Sequence, residues 1–155
     1  GEIERWSLEG KGFALLQPGL ARTYRDGRRD LALARREPSD ERLHEWRKRV
    51  KDQWYHSQLL TPLWPDAFDF RSGQLKRLSD ALGDDHDLAM MLALLQADPE
   101  LFGSAATRER LLRLIDKRRA ALQAEAFTLG ARLYAEKPGA LTQRWQRYWR
   151  IARAG

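Results

Sequence analysis

The chain has 155 residues, enough for one domain with a hydrophobic core. Apolar residues make up 43% and charged residues 32%, a balance typical of globular proteins. The lack of cysteine excludes a disulfide framework, a cysteine zinc site and a thiol nucleophile. No stretch approaches the ~18 apolar residues of a membrane span, and the charged first ten residues argue against a signal peptide. We therefore expect a cytoplasmic protein without a membrane partner.

The formal net charge of +6 is distributed unevenly along the chain. Residues 1–60 have a net charge of +3, residues 61–100 of −5 and residues 101–155 of +8. A strongly basic surface attracts polyanions through long-range electrostatics. The charge pattern therefore predicts a polyanionic partner, without indicating which one.

Hydrophobic periodicity predicts helix along almost the whole chain. Apolar residues recur about every 3.6 positions, and prolines and glycines mark the breaks. Ser39 is placed to cap the second helix, and Gly83 to bend or interrupt the third. Only residues 2–8 and 12–16 are weak strand candidates, and both lie in a leader, residues 1–18, that has no clear assignment. The predicted helices cover residues 19–36, 40–60, 67–96, 104–135 and 138–154.

Five helices joined by short turns predict an all-α, up-and-down bundle formed by residues 19–155. We find neither a second domain boundary nor an internal repeat, so residues 1–155 are interpreted as a single domain. Six tryptophans lie mostly on apolar helix faces, where we expect them to pack.

The second predicted helix has an apolar side, formed by Leu43, Trp46, Val50 and Trp54, and a row of cations that flanks it. At about 100° per residue, an arc of about 100° holds five polar residues, and of the carboxylates only Glu41 falls near it. Aligned like charges cost a few tenths of a kcal/mol per pair, so this pattern favours a polyanion along the helix. Arg offers bidentate geometry to phosphate, and Lys offers a point charge. We call this set the basic stripe; it consists of His44, Arg47, Lys48, Lys51 and Tyr55.

The third predicted helix contains an unusual acidic cluster, Asp84-Asp85-His86-Asp87. Three interpretations are open: metal ligands, a helix cap after a glycine, or carboxylates that orient neighbouring cations. The helical projection places Asp87 on the face of Lys76 and turns His86 toward the core. We assign Asp84 and Asp87 to orienting cations.

Several elements, in the same order, resemble the CHAD domain, the conserved histidine α-helical domain. The resemblance is specific over about residues 19–95, whereas residues 100–155 agree only in helicity and basic character. The elements that resemble it are LARTYRDGRR at 20–29, HEWRKRVK at 44–51, LL at 59–60, LKRL at 75–78 and LGDDHDL at 82–88.

The resemblance implies a non-catalytic, cofactor-free domain that binds inorganic polyphosphate through a basic, histidine-bearing surface, often linked to polyphosphate granules. Carried over by position, His44, Arg47, Lys48 and Lys51 would contact phosphate, and Tyr24 matches the pattern but is equally consistent with packing. The full set of candidate binding residues is His44, Arg47, Lys48, Lys51, Arg28, Arg25, Lys76, His86 and Tyr55.

The length of the chain departs from the family pattern. A full CHAD domain is about twice as long and has two similar bundles that face each other across a basic channel. This chain resembles the C-terminal bundle, so we expect a second half or a homodimer as partner.

Three rival functions use other features of the sequence. His86-Asp87 matches the His-Asp dipeptide of HD-type metal-dependent phosphohydrolases. In such a site, His44 or His56 and Asp116 would be the further metal ligands. However, the chain has only three histidines, and His56 lies about 120° around the helix from His44. Non-specific nucleic-acid binding is compatible with the charge, although no helix-turn-helix, zinc finger or RNA-binding signature is visible. A module that binds an acidic protein is the third alternative.

Overall fold

The computed structural model describes residues 12–155. These residues form five α-helices and one short 3-10 helix and contain no β-strand, which confirms the all-α prediction. Helix α2 packs between α1 and α3, α4 packs on α3, and α5 returns to α1. No helix in this part of the chain is long and apolar enough to cross a lipid bilayer. The helices are α1 Gly12–Arg36, α2 Asp40–Leu59, the 3-10 helix Thr61–Leu63, α3 Pro65–Ala97, α4 Ala105–Leu133 and α5 Pro138–Ala154.

The first helix begins seven residues earlier than the sequence predicted. The strand over residues 12–16 is wrong, because Phe13 is buried against Trp149 of α5, with ring centroids 5.8 Å apart. Pro18 lies inside the helix and does not end it. Residues 12–18 of the unassigned leader therefore belong to the bundle. The other strand candidate, residues 2–8, lies outside the described residues.

Local signals at the other helix ends agree with the structure. The Ser39 hydroxyl accepts a hydrogen bond from the Arg42 amide at 3.1 Å, which satisfies one of the free N–H groups at the start of α2. Ser104 caps α4 in the same way through the amide of Thr107. Gly83, however, does not interrupt the third helix, since α3 is continuous from Pro65 to Ala97.

The core contains the aromatic residues that the helical periodicity assigned to packing. Trp46 is fully buried and stacks on Phe127 of α4, with ring centroids 5.7 Å apart. Gly130 makes this approach possible, because a Cβ atom there would lie 2.5 Å from Cζ2 of Trp46. Small and large side chains thus interlock where α2 crosses α4.

The buried side of α2 differs from the prediction in its second half. Leu43, Trp46 and Val50 are buried as expected, but Trp54 is only half-buried. Near the C-terminal end of α2, the polar residues Gln53 and Ser57 are buried in the core. Residue type alone misleads here, because two polar side chains occupy the interior.

Candidate polyanion-binding surface

The basic stripe lies beside helix α3. The Arg47 Nε group donates a hydrogen bond to the Ser79 carbonyl oxygen at 3.2 Å. One helical turn earlier on α2, the His44 ring stacks on the His86 ring with centroids 4.8 Å apart and planes inclined by 25°. Two side chains of the stripe are therefore held by direct contact with the neighbouring helix.

Gly83 creates the space that Arg47 occupies. A Cβ atom on Gly83 would lie 2.9 Å from an Nη nitrogen of Arg47 and 3.2 Å from its Cζ. The guanidinium therefore rests directly on the α3 backbone. Within residues 12–155, Arg47 makes no ion pair, and its Nη nitrogens make no hydrogen bond. They are thus available to donate to an external acceptor.

Lys48 and Lys51 differ in their surroundings. Lys48 Nζ pairs with Glu45 Oε1 at 2.8 Å, so the prediction that only Glu41 approaches the stripe is wrong. The helical projection missed this pair, because residues three apart meet through long, flexible side chains. Lys51 is half-buried and forms no ion pair with any residue that the structure describes.

The electrostatic setting of His44 favours its neutral form. Loss of solvent contact is the main cause that lowers the pKa of His44 below its usual value. The adjacent His86 ring lowers it further, followed by the cations Lys48 and Arg47. Its Nδ1 atom is buried and has no hydrogen-bond partner within residues 12–155. A nearby anion would reverse this balance and favour the protonated imidazole.

Asp85 is the structural member of the acidic cluster. It is only 2% exposed and accepts hydrogen bonds from Arg119 Nε at 3.0 Å and from Gln123 Nε2 at 3.1 Å, both on α4. Arg119 also pairs with Asp40 in the first turn of α2. This one network therefore joins α3, α4 and the start of α2. The interpretation that carboxylates of the cluster orient cations is confirmed for Asp85, which the sequence did not single out.

The other members of the cluster have different positions. Asp84 and Asp87 are exposed, and neither forms an ion pair within the described chain, so their assignment to orienting cations is wrong. His86 is half-buried through its stack on His44. Among residues 12–155, no group of three or more His, Cys, Asp or Glu side chains is arranged to hold a metal ion.

The remaining cationic candidates, Lys76, Arg28 and Arg25, lie on α3 and α1. Lys76 pairs with Asp80 at 2.9 Å and lines a pocket of about 320 Å³ between α3 and α4. Arg28 lines another pocket, of about 280 Å³ between α1 and α4, together with Arg35. Arg25 is exposed on α1 and makes no hydrogen bond or ion pair inside the described range. The structure thus shows His44 in contact with His86, and Arg47 in contact with Ser79 and Gly83. The roles of Lys76, Arg28 and Arg25 in binding stay predictions.

Tyr55 stands at the far end of the stripe. Its side chain is 57% exposed, and its ring stacks on that of Trp54 with centroids 5.4 Å apart. The phenol is therefore supported from one side and open to solvent on the other.

A comparison with protein families identifies the sequence stretch that contains this surface. The family model of the CHAD domain matches residues 3–96, more than half of the chain. The match includes the whole of α1 and α2 and all but the last residue of α3, and thus Gly83, His86 and the complete stripe. Searches of curated proteins and of solved structures gave no significant match. The resemblance seen in the sequence is confirmed, and the chain belongs to the CHAD family.

Proposed function

We propose that this chain binds inorganic polyphosphate along the basic stripe and does not transform it. CHAD domains are associated with polyphosphate binding in general and are binding domains more than catalytic ones. The observation that supports the proposal most is the position of the family match. It contains the stripe together with Gly83 and His86, the α3 residues that hold Arg47 and His44.

The chemistry of the stripe suits a linear chain of phosphates. Arg47 offers two Nη nitrogens, which can donate to two oxygens of one phosphate group, whereas Lys51 offers a point charge. These residues are four positions apart, which is about 6 Å along a helix. Polyphosphate repeats its negative charge along a flexible chain, so successive groups can meet successive cations.

A competition experiment tests this function against non-specific polyanion binding. We expect long-chain polyphosphate to bind the folded chain, and orthophosphate or duplex DNA at matched total charge to displace it poorly. Light scattering of the complex will report whether one chain or a pair of chains binds, since the family pattern implies a facing second bundle. Equal displacement by DNA, or no binding of polyphosphate to folded protein, would contradict the proposal.

Binding should take up a proton at His44. Its pKa is lowered below 6.5 in the free protein and should rise when a polyanion lies beside it. Affinity should therefore increase as the pH falls from about 8 toward the lowered pKa, by at most about tenfold per pH unit for one proton. The groups that face His44 are Glu45, Arg47 and Lys48 on α2 and His86 on α3.

The stability of the free protein should change with pH in the opposite direction. Burial is also the main cause that lowers the pKa of His56, so the folded state binds fewer protons than the unfolded state just below pH 6.5. Stability is then lost as the pH falls from 6.5 through these lowered pKa values.

Titrations of wild type and His44→Gln with polyphosphate at several pH values test the expected rise in affinity. The same pH dependence of affinity in both proteins would contradict proton uptake at His44.

The substitution Gly83→Ala should weaken polyphosphate binding without removing a charge. The added Cβ displaces the Arg47 guanidinium and breaks its hydrogen bond to Ser79, a bond of about 0.5–1.5 kcal/mol. We expect a two- to tenfold loss of affinity from the misplaced cation, read by calorimetry. Gly73→Ala is the matched control, because Gly73 lies in the same helix with nothing within 4 Å of its Cβ position. Equal affinity of the two variants would show that Arg47 needs no such placement.

A further inference from the structure

The last turns of α3 extend beyond the start of α2. Helix α2 begins at Asp40 and, about one turn later, contacts α3 through the stack of His44 on His86. The next turn of α2 contacts α3 at Gly83, so the two helices run antiparallel. Helix α3 continues past His86 through residues 87–97, which is about 16 Å. About two turns at the end of α3 therefore have no part of α2 beside them.

This end of α3 is apolar on all its sides. Residues 88–97 contain no charged side chain. A helix that is hydrophobic all round is normally buried inside a protein. In this chain, however, Met90 is 57% exposed and Leu94 is 56% exposed. Within the stretch, only Ala89 and Leu95 are buried. Its composition thus suits an interior helix, whereas one copy of the chain leaves much of it open to solvent.

The exposed side of this segment continues the side of α3 that α2 covers. Four exposed residues follow His86 by four, seven, eight and eleven positions, and at about 100° per residue they fall within an arc of about 100° around it. The interface between α2 and α3 therefore runs on, without a partner helix, past the start of α2. We call this surface the α3 end face; it consists of Met90, Ala93, Leu94 and Ala97.

We propose that the α3 end face binds a second copy of this chain in a two-fold dimer, with the two α3 ends packed antiparallel. In a two-fold contact, the same patch of both copies meets itself. With the axis between positions 93 and 94, Met90 of one copy lies opposite Ala97 of the other. In the same register, Ala93 lies opposite Leu94. Each large side chain then meets a small one, which lets two helices interlock closely.

The charge of the face favours this occupant over a polyanion or an acidic protein. The chain has a formal net charge of +6, so two copies repel each other over most of their surfaces. The α3 end face carries no charge, and two copies can meet there without placing cations opposite each other. An acidic partner would find no cation on it. The inference uses a surface separate from the basic stripe and does not rest on the proposed function.

Sedimentation of the full chain tests the dimer. We expect wild type to show a concentration-dependent equilibrium between monomer and dimer. Leu94→Glu should raise the dissociation constant of the dimer at least about a hundredfold, because the contact would bury two unpaired carboxylates near the axis. Phe70→Glu is the matched control and should leave the dimer intact, since Phe70 is 71% exposed on the same helix and lies outside the face. Circular dichroism should show unchanged helicity in both variants, because both positions are exposed.

Two outcomes of this experiment would overturn the proposal. A dimer that Leu94→Glu leaves intact would place the contact elsewhere. Wild type that stays monomeric up to about 1 mM would assign the face to a different protein.

Disulfide crosslinking reports the register of the contact. The chain contains no cysteine, so an introduced thiol has no competitor within it. Under mild oxidation, an equimolar mixture of Met90→Cys and Ala97→Cys should form a covalent dimer, because these positions lie opposite each other. Each single variant should crosslink poorly, since its two thiols would be about 10 Å apart along the helices, too far for a disulfide. A mixture that crosslinks no faster than the single variants would contradict the antiparallel arrangement.

Discussion

Asp85→Ala is expected to destabilise the fold by about 3–5 kcal/mol, the usual result of breaking one side of a buried ion pair. The Asp85 carboxylate is the acceptor for Arg119 and Gln123, and the Arg119 side chain is only 15% exposed. Removing the carboxylate leaves the guanidinium without its α3 partner, and the remaining pair with Asp40 is more exposed. The substitution therefore disrupts the network that joins α3, α4 and the start of α2.

Urea unfolding of wild type and variants measures this loss. Asp87→Ala is the matched control, because Asp87 is exposed, two residues away on α3, and makes no ion pair within residues 12–155. Combining Asp85→Ala with Arg119→Met should restore part of the stability, since the unpaired charge is then removed as well. If Asp85→Ala and Asp87→Ala unfold within about 0.5 kcal/mol of each other, the buried network does not support the fold as described.

Arg47→Ala/Lys51→Ala is expected to lower the affinity for polyphosphate about a hundredfold or more at low salt. A hydrogen bond to a charged group contributes about 1.5–3 kcal/mol, and this variant removes two such contacts. Neither cation has an ion-pair partner in the described structure, so the substitutions do not leave an unpaired carboxylate behind. Circular dichroism should therefore show an intact helical fold.

The third cation of the stripe provides a graded comparison. Lys48 is already paired with Glu45, and both side chains are about half exposed. Binding phosphate through Lys48 requires this pair to rearrange, so Lys48→Ala should cost less affinity than Lys51→Ala. An equal or larger loss for Lys48→Ala would mean that the pair with Glu45 opens freely when polyphosphate binds.

The helices could be predicted because they follow local rules. Leu75, Leu78 and Leu82 repeat at helical spacing and are all buried. The start of α1 could not be predicted in this way, since Pro18 and Gly19 look like a break. What extends the helix is a distant contact, Phe13 on Trp149, which no local pattern reveals.

The same distinction between local patterns and distant contacts applies to the candidate site. The members of the stripe could be grouped from sequence because they share one helix and one spacing. The contacts that position them come from other helices, and Gly83 and His86 are adjacent to Arg47 and His44 only after folding.

The salt dependence of polyphosphate binding tests the central claim most directly. Binding by a stripe of cations releases counterions, so affinity should fall steeply with salt in the wild-type chain. We expect Arg47→Ala/Lys51→Ala to reduce the magnitude of that slope by about two units, one for each lost contact. Arg110→Ala/Arg113→Ala removes the same charge from exposed positions on α4 and should leave the slope unchanged. Parallel salt slopes for wild type and both variants would contradict binding at the basic stripe.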